Sequence, residues 1–210
     1  MNADSPPGLV ARALACQRGG RLVFAKLDFA FEPGELVVLR GANGAGKSSL
    51  LRVLAGLLPQ AHGTLLWNGA DISDDPADHR ARVQYVGHLD ALKPALSAAE
   101  HLRFHAALRG VAGRDIAPAL AAFGLEKLAH TPTRFLSQGQ KRRVALARLC
   151  LAPAAIWLLD EPSNGLDAAS VALLGTAIAQ KRAGGGIVVA ATHLDFPGAD
   201  ARTLNLGGTA

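Results

Sequence analysis

An α/β fold with a parallel β-sheet is predicted for this chain by three observations. Short apolar runs at 35–40, 156–159 and 187–191 are rich in β-branched and aliphatic residues, as buried strands are. Segments with apolar residues at helical spacing separate these runs, and strands that alternate with helices pair in parallel. A glycine-rich segment, 41–49, lies between the first of these strands and a helix that starts near Lys47. We therefore expect ligands to bind at the carboxyl ends of the strands.

The composition fits one folded domain with subdomains. The chain has 210 residues, of which 50% are hydrophobic and 19% charged, so it can form a core and is not intrinsically disordered. The formal net charge is +5, but the basic residues are scattered and only 5% of the residues are aromatic. A platform for stacking nucleic-acid bases is therefore not expected. The two cysteines, Cys16 and Cys150, lack metal-ligand spacing and are expected to be small buried groups.

No signal for export or membrane insertion is visible. Residues 1–8 lack the apolar core of a signal peptide, and no uninterrupted apolar run reaches about 18 residues. We expect a soluble, cytoplasmic chain.

The N-terminal part of the chain predicts a small antiparallel sheet. Residues 9–31 alternate apolar and polar side chains before a Pro33-Gly34 turn, and 63–69 form a further strand that closes with an Asn-Gly turn. Residues 83–87 are predicted as a short core strand.

Residues 41–49 fit the phosphate-binding pattern G-x-x-x-x-G-K-[ST] at every specified position. The glycines let backbone N–H groups turn inward, and the N-terminus of the following helix adds partial positive charge. Lys47 is expected to reach the β- and γ-phosphates, and the Ser48 hydroxyl to help hold Mg²⁺. The flanking strand and helix argue against a chance match. The residues expected to bind the nucleotide here are Gly41, Ala42, Asn43, Gly44, Ala45, Gly46, Lys47, Ser48 and Ser49.

The middle of the chain is predicted to be helical. Ser97 and Glu100 have the spacing of a capping box and open one helix, and a second helix is expected between Asp115 and Phe123. We therefore expect a helical subdomain at 93–135, inserted into a core formed by 1–92 and 136–210.

The C-terminal part returns to alternating strands and helices. Ser137 and Gln140 have capping-box spacing, which by itself indicates an ordinary helix start. The run at 141–143 is predicted to be a solvated helix face. The strand at 156–159 leads into Asp160 and Glu161. A helix from Asp167 to Arg182 and a strand at 187–191 follow, and that strand ends at Thr192-His193.

These motifs together resemble those of ABC-transporter ATP-binding subunits. They occur in the same order as in that family: 41–49, Leu136-Ser137-Gln138-Gly139-Gln140, 156–162, Gly165-Leu166-Asp167 and Thr192-His193. The resemblance covers nearly the whole chain. It implies a P-loop NTPase (RecA-like) core with a small antiparallel β-subdomain and a helical insertion, which together form a single ABC ATPase domain over 1–210.

The resemblance also implies roles for individual residues. Asp160 would bind Mg²⁺, Glu161 would orient and deprotonate the attacking water, and His193 would contact the γ-phosphate. Two ATP molecules would lie between two copies of the chain, and each would be closed off by Ser137, Gly139 and Gln140 of the other copy. An ion-paired surface position for Glu161 and a structural strand end for His193 are the alternatives.

Three positions depart from the family pattern. Gln138 stands at the first glycine of the usual Leu-Ser-Gly-Gly-Gln. His88 stands where most relatives place a glutamine that meets Mg²⁺ and water; imidazole can hydrogen-bond water, but it titrates near pH 6.5. Arg18 stands where an aromatic residue usually stacks on adenine, and a guanidinium can stack on a base as well.

The pair Gly87-His88, the segments Leu92-Lys93 and 96–102 that follow it, and the run 136–149 narrow the resemblance to the ATPase subunits of cytochrome c maturation (haem exporter) transporters. This resemblance implies that ATP hydrolysis is coupled to haem export or to release of a haem-loaded chaperone. It implies a CcmB-like integral membrane subunit, further CcmC-like and CcmE-like partners, and a complex with two ATPase and two membrane subunits. The chain would then lie at the cytoplasmic face of the bacterial inner membrane. No haem-ligand pattern is visible in this chain, so we do not expect the subunit to bind haem itself.

Two other classes of protein stay open from the sequence. One is a non-transport ABC ATPase, such as an iron–sulfur assembly scaffold or a translation factor, although the latter usually carries two ATPase cassettes. The other is a small P-loop kinase, in which the stretch 136–140 would be superfluous.

Overall fold

A computed structural model describes residues 8–193 and 200–207 of the chain. The N-terminal residues 1–7, which carry most of the segment tested above for a signal peptide, lie outside the described residues. Two compact units are present, and each is described by itself. The first comprises Met1–Tyr85, Ala154–Asp160 and Lys181–Ala210, and the second comprises Val86–Pro153 and Glu161–Gln180.

The regular elements follow in chain order. The strands are β1 (Leu9–Arg18), β2 (Arg21–Phe31), β3 (Leu36–Arg40), β4 (His62–Trp67), β5 (Ala70–Asp71), β6 (Val83–Val86), β7 (Ile156–Asp160), β8 (Ile187–Ala191) and β9 (Arg202–Asn205). The helices are α1 (Lys47–Leu54), α2 (Pro76–Arg82), α3 (Ala98–Leu108), α4 (Ala117–Ala122), α5 (Gln138–Ala147) and α6 (Ala168–Ala183). Short 3₁₀ turns lie at Glu126–Leu128, Thr133–Phe135 and Arg148–Cys150.

The first unit contains the predicted antiparallel sheet, in the order β2-β1-β4-β5. The Asn-Gly turn between β4 and β5 has positive φ at both residues, 49° at Asn68 and 84° at Gly69. Both angles match the type I′ hairpin turn that this dipeptide favours.

The first unit also contains a five-stranded sheet in the order β6-β7-β8-β3-β9. The pairs β7/β8, β3/β8 and β3/β9 are parallel, as the alternation of strands and helices predicted. The α1 helix packs on this sheet, because its buried face of leucines and Val53 contacts β7 and β8. The apolar cluster that results also includes the inner residues of β1 and β2.

The second unit is mainly helical. Its α5 helix packs against α3 and α4. The buried apolar side chains of this unit include Leu102, Leu120, Phe123, Val144, Leu146 and Leu174. Both predicted capping boxes are present: Ser97 caps α3 with Glu100, and Ser137 caps α5 with Gln140. None of the helices within 8–193 and 200–207 combines the length and apolar character that a membrane span requires.

Helix α2 and strand β9 were not predicted, and the prediction for 141–143 was wrong. Helix α2 begins at Pro76 after Asp75, whose carboxylate accepts hydrogen bonds from the N–H groups of Ala77 and Asp78. Strand β9 is mostly exposed. The run 141–143 is not a solvated face, because Arg142 is only 2% exposed and Arg143 is partly buried. Backbone carbonyls accept hydrogen bonds from both guanidinium groups and make this burial possible.

Candidate functional site

In the first unit, three neighbouring strands end side by side. Register pairs Ala191 of β8 with Asp160 of β7 on one side and with Leu39 of β3 on the other. The segments of this unit that follow β3 and β8, the glycine-rich loop and Thr192-His193, therefore start from one edge of the sheet, where Asp160 ends β7. Arg40 donates a hydrogen bond to the carbonyl oxygen of Thr192 at 2.8 Å, which joins the end of β3 to the segment after β8.

The glycine-rich loop 41–49 needs glycine at two positions for steric reasons. Gly41 and Gly46 have φ values of 145° and 98°, which side chains rarely adopt. A Cβ atom at Gly41 would lie 2.4 Å from the carbonyl oxygen of Leu206, and one at Gly46 would lie 2.6 Å from Cγ1 of Val23. The loop backbone can therefore take this close-packed path only without side chains there.

The start of α1 suits an anion. Among the described residues, no side chain caps this helix at Gly46, and no acidic residue stands in its first turn. The partial positive charge of the helix N-terminus is therefore not neutralised locally. Lys47 Nζ donates to the carbonyl oxygens of Gly41 and Ala42 at 2.8 and 3.1 Å, which holds the ammonium group against the loop. A phosphate group in this loop would meet a helix N-terminus and a fixed cation.

Two oxygen atoms that could ligate a metal ion lie within hydrogen-bond distance of each other beside the loop. Ser48 Oγ donates to Asp160 Oδ1 at 3.0 Å, and Asp160 is only 2% exposed. A hydroxyl and a carboxylate are hard oxygen ligands of the kind that Mg²⁺ takes alongside phosphate oxygens, so this donor pair fits the ion. Burial raises the pKa of Tyr85, and the Asp160 carboxylate adds to that increase, although a hydrogen bond with Arg52 opposes it. The phenol beside Asp160 is therefore neutral at physiological pH.

The residues near the loop also include an apolar pair that the sequence did not single out. A Cβ atom at Gly46 would lie 3.2 Å from the ring of Phe24 and still closer to Val23, so β2 packs directly on the loop. Arg18, predicted to stack on the base, is exposed at the end of β1, opposite Arg21.

In the second unit, Ser137 stands exposed at the N-terminus of α5. Its N–H donates to Gln140 Oε1 at 2.8 Å, and its Oγ accepts from the Gln140 N–H at 3.2 Å. Gly139 packs so closely that a Cβ atom would lie 2.7 Å from the carbonyl oxygen of Gly165. Gln138, at the position where the family pattern has a glycine, is accommodated as an exposed side chain.

Glu161 has a strained backbone. Its φ of 47° lies in the left-handed region, where a residue with a side chain is uncommon and often functional. The N–H of Asn164 donates to the Glu161 carbonyl oxygen at 3.1 Å and closes a tight turn. Farther along, Asp167 caps α6 by accepting from the Ser170 N–H at 2.8 Å. Hydrogen bonds from the Ser170 side chain and backbone hold the pKa of Asp167 below its ordinary value.

His88 lies in an exposed loop of the second unit. The loop is anchored on both sides of His88, because Arg142 donates to the Gly87 carbonyl oxygen at 2.8 Å and to Asp90 Oδ1 at 3.0 Å. Sequence reasoning missed Arg142 and Asp90. The signal was available, since Arg142 stands three residues before the buried Ala145 and therefore lies on the inner face of α5.

A second buried arginine supports the same loop. Arg148 donates to the Asp90 carbonyl oxygen at 3.1 Å and to His105 Nε2 at 3.0 Å. Burial lowers the pKa of Arg148 to about 10. Burial also lowers the pKa of His105 to about 4, and the positive charge of Arg148 acts in the same direction. His105 is therefore neutral at physiological pH and accepts the hydrogen bond from Arg148.

Comparisons with known proteins agree with this arrangement. The ABC transporter family model matches residues 24–164. A protein of Paramagnetospirillum magneticum named "Cytochrome c biogenesis ATP-binding export protein CcmA" is 54% identical over 200 residues, which are 93% of this chain and 92% of that protein. A protein of the same name from Rhodospirillum rubrum is 49% identical over 96% of this chain and 88% of its own length.

Solved structures agree on the fold. A putative ABC transporter ATP-binding protein from Pyrococcus furiosus superimposes with a TM-score of 0.82 at 26% identity, over 94% of this chain and 96% of that one. The ATP-binding subunit of another ABC transporter gives a TM-score of 0.78 at 28% identity, over 89% and 80% of the two chains. The chain therefore belongs to the ATP-binding subunits of ABC transporters, among them to the CcmA proteins, and is an ATPase.

Proposed function

We propose that this chain is the ATPase subunit of an ABC complex for cytochrome c biogenesis, where ATP hydrolysis drives haem export or release of a haem-loaded chaperone. The observation that carries the proposal is the high identity, over nearly full length, to proteins named as cytochrome c biogenesis ATP-binding export proteins. The iron–sulfur type of ABC scaffold and the small P-loop kinase are not favoured by these relatives.

The first unit supplies the nucleotide and metal ligands. The loop 41–49 cradles the phosphates of ATP, and Lys47 turns from the loop carbonyls toward the β- and γ-phosphates. Ser48 and Asp160 would hold Mg²⁺, which, when bound, neutralises charge on those phosphates. His193 contacts the γ-phosphate, and Arg18 stacks on the base.

Hydrolysis needs a base and an ordered water. Glu161 takes the proton of the attacking water. The tight turn at its strained backbone fixes the direction in which its side chain leaves the main chain. His88 occupies the position at which most relatives have a glutamine, and its imidazole hydrogen-bonds the same water. Ser137, Gly139 and Gln140 close the ATP site of a second copy. The exposure of Ser137 at a helix N-terminus supports this role, because the helix end is accessible to a γ-phosphate on another chain.

The membrane partner docks on the second unit. Leu89, Phe104 and Leu108 are exposed by 80%, 50% and 65% there, and the last two share one face of α3 because they are four residues apart. Contiguous exposed apolar side chains, such as these two on α3, mark surfaces for partner proteins. We assign the face of α3 that carries Phe104 and Leu108, the α3 patch, to a CcmB-like integral subunit. The complex holds two ATPase and two membrane subunits at the cytoplasmic face of the bacterial inner membrane, with CcmC-like and CcmE-like proteins nearby.

We propose that 1–210 form a single ABC ATPase domain, with 93–135 as a helical subdomain inserted into a core formed by 1–92 and 136–210. The packing of α3 and α4 on α5 supports a helical body around this segment.

The test is recovery of partners from detergent-solubilised membranes with a tagged full chain. Wild-type protein should bring down an integral membrane subunit, and the double variant Phe104→Ser, Leu108→Ser should lose it. The matched control is Leu22→Ser, because Leu22 is 66% exposed in the first unit, away from the α3 patch in sequence. Recovery of iron–sulfur assembly proteins, or of no membrane subunit, would overturn the proposed function. If the double variant recovers as much membrane subunit as the wild type, the assignment of the α3 patch is overturned.

A further inference from the structure

Arg142 makes an unusual set of contacts for a side chain with no assigned role. Its guanidinium is buried, with the residue 2% exposed. Nε donates to the Pro162 carbonyl oxygen at 3.1 Å, and Nη2 donates to the Glu161 carbonyl oxygen at 2.9 Å. Nη1 donates to the Gly87 carbonyl oxygen at 2.8 Å and to Asp90 Oδ1 at 3.0 Å.

These four contacts join two segments that lie far apart in sequence. Glu161 and Pro162 follow β7, whereas Gly87 and Asp90 flank His88. Arg142 itself lies in the second turn of α5, the helix that Ser137 caps. One guanidinium therefore connects the backbone of the proposed base, the loop of the proposed water ligand and the helix that carries Ser137. All of these residues belong to the second unit.

The chemistry of the contact favours rigidity. Hydrogen bonds from a charged donor are roughly twice as strong as neutral ones, and the Asp90 carboxylate, 11% exposed, balances the buried charge. The planar guanidinium presents its donors in a fixed fork, so the two segments cannot move independently without breaking several bonds. The left-handed backbone at Glu161 is strained and persists only where its surroundings hold it. Arg142 is one such restraint.

We propose that Arg142 is a positioning residue for ATP hydrolysis, which holds the backbone of Glu161 and the loop of His88 in one fixed arrangement. This rests on the proposed roles of Glu161 and His88. Arg142 acts through these two residues and does not itself touch the nucleotide. Lysine or glutamine cannot replace it, because neither offers enough donors in the required plane.

Arg143 provides a matched control on the next position of the same helix. It donates to the carbonyl oxygens of Phe123 and Gly124 at 2.9 and 3.2 Å, and both acceptors lie far along the chain from Glu161 and the His88 loop. Removing it breaks the same kind of bond, from the same helix, to a purely structural partner.

The experiment compares Arg142→Gln, Arg143→Gln and Glu161→Gln in the full chain. Each variant is assayed for ATPase activity in the complex with its membrane subunit. Turnover is expressed per ATP-binding site, counted with a fluorescent ATP analogue, so that loss of folded protein does not count as loss of catalysis. Arg142→Gln should lower kcat about 10–100-fold with the ATP dissociation constant changed less than threefold, because a small misplacement of a catalytic group has that effect. Arg143→Gln should leave kcat per site within about threefold.

The decisive readout is non-additivity. If Arg142 acts through Glu161, Arg142→Gln should lower turnover further by less than threefold in the Glu161→Gln background. If Arg142→Gln lowers kcat by the same factor in the wild-type chain and in the Glu161→Gln variant, the inference is overturned. An unchanged kcat in Arg142→Gln would overturn it as well. If Arg142→Gln does not fold, Asp90→Asn takes its place: it keeps the side-chain shape, weakens the anchor, and should lower kcat per site at least threefold. Full turnover in Glu161→Gln would instead overturn the proposed site and is thus distinguishable from failure of this inference.

Discussion

Ser48 Oγ donates a hydrogen bond to Asp160 Oδ1 at 3.0 Å, and this contact joins the first turn of α1 to the last residue of β7. The two residues are 112 positions apart in the chain. Their contact places a hydroxyl and a buried carboxylate beside the glycine-rich loop, and both are hard oxygen ligands of the kind that Mg²⁺ takes.

Ser48→Ala should weaken Mg²⁺-dependent ATP binding, because it removes one of the two oxygen donors. We expect the apparent Mg²⁺ affinity to fall about 10–100-fold, with turnover falling in parallel. Titration of ATPase activity with Mg²⁺ at saturating ATP measures this. Ser48→Thr keeps the hydroxyl and serves as the control. Equal Mg²⁺ dependence in Ser48→Ala and wild type would exclude Ser48 as a ligand.

Ser137 and Ser97 form a matched pair, since each caps a helix through a complete capping box. Each serine-to-alanine change should cost about 1 kcal/mol of unfolding free energy. Only Ser137→Ala should also lower kcat, because Ser137 is proposed to face the γ-phosphate bound by a second copy. Urea unfolding and steady-state ATPase assays on both variants separate the two effects. If both variants lose turnover equally, the role of Ser137 is capping alone.

The role proposed for His88 can be tested by replacing it with glutamine, the residue that the resemblance to ABC ATPases predicts at this position. His88→Gln should keep turnover within about threefold, because a side-chain amide can hydrogen-bond the same water. His88→Ala should lower kcat by about tenfold or more, since it offers no polar atom. Steady-state kinetics on both variants give the comparison. Equal turnover in all three proteins would remove His88 from the site.

His105 should make stability depend on pH. Burial, with help from Arg148, lowers the pKa of this imidazole to about 4 in the folded chain, whereas the unfolded chain has the ordinary value near 6.5. Unfolding therefore takes up a proton between these values, so the free energy of unfolding decreases as the pH falls from 6.5 toward 4. His105→Gln keeps an acceptor for Arg148 but does not titrate, and its decrease should be shallower. Urea unfolding at pH 7, 6, 5 and 4.5 tests this, and parallel profiles would contradict it.

Much of the fold was predictable because its elements have strong periodic patterns or complete capping signals. The buried strands β3, β7 and β8, and the capped helices α3 and α5, are examples. Helix α2 was missed because it buries only His79 and so shows no apolar periodicity. Strand β9 was missed because most of its residues are exposed.

The site was predictable to the extent that local motifs define it. The loop 41–49 and Asp160 could be placed from strand and helix patterns alone. The burial of Arg142 depends on carbonyl oxygens of Gly87 and Glu161, 55 and 19 residues away along the chain. The left-handed backbone of Glu161 is likewise a product of tertiary contacts. Helical spacing places Arg142 on the inner face of α5, but local sequence patterns identify neither its carbonyl partners nor the backbone conformation of Glu161.

The proposed role of Glu161 as the catalytic base is tested most directly by the Glu161→Gln variant, assayed for ATP binding and ATP hydrolysis in the same preparation. Glutamine keeps the size of the side chain but cannot take a proton from water. ATP binding should stay within about threefold of wild type, while kcat falls by a factor of about 10²–10⁴. Glu126→Gln, at an exposed position of the second unit, should leave both quantities unchanged. Turnover at the wild-type rate in Glu161→Gln would contradict the role of Glu161 as the base for ATP hydrolysis.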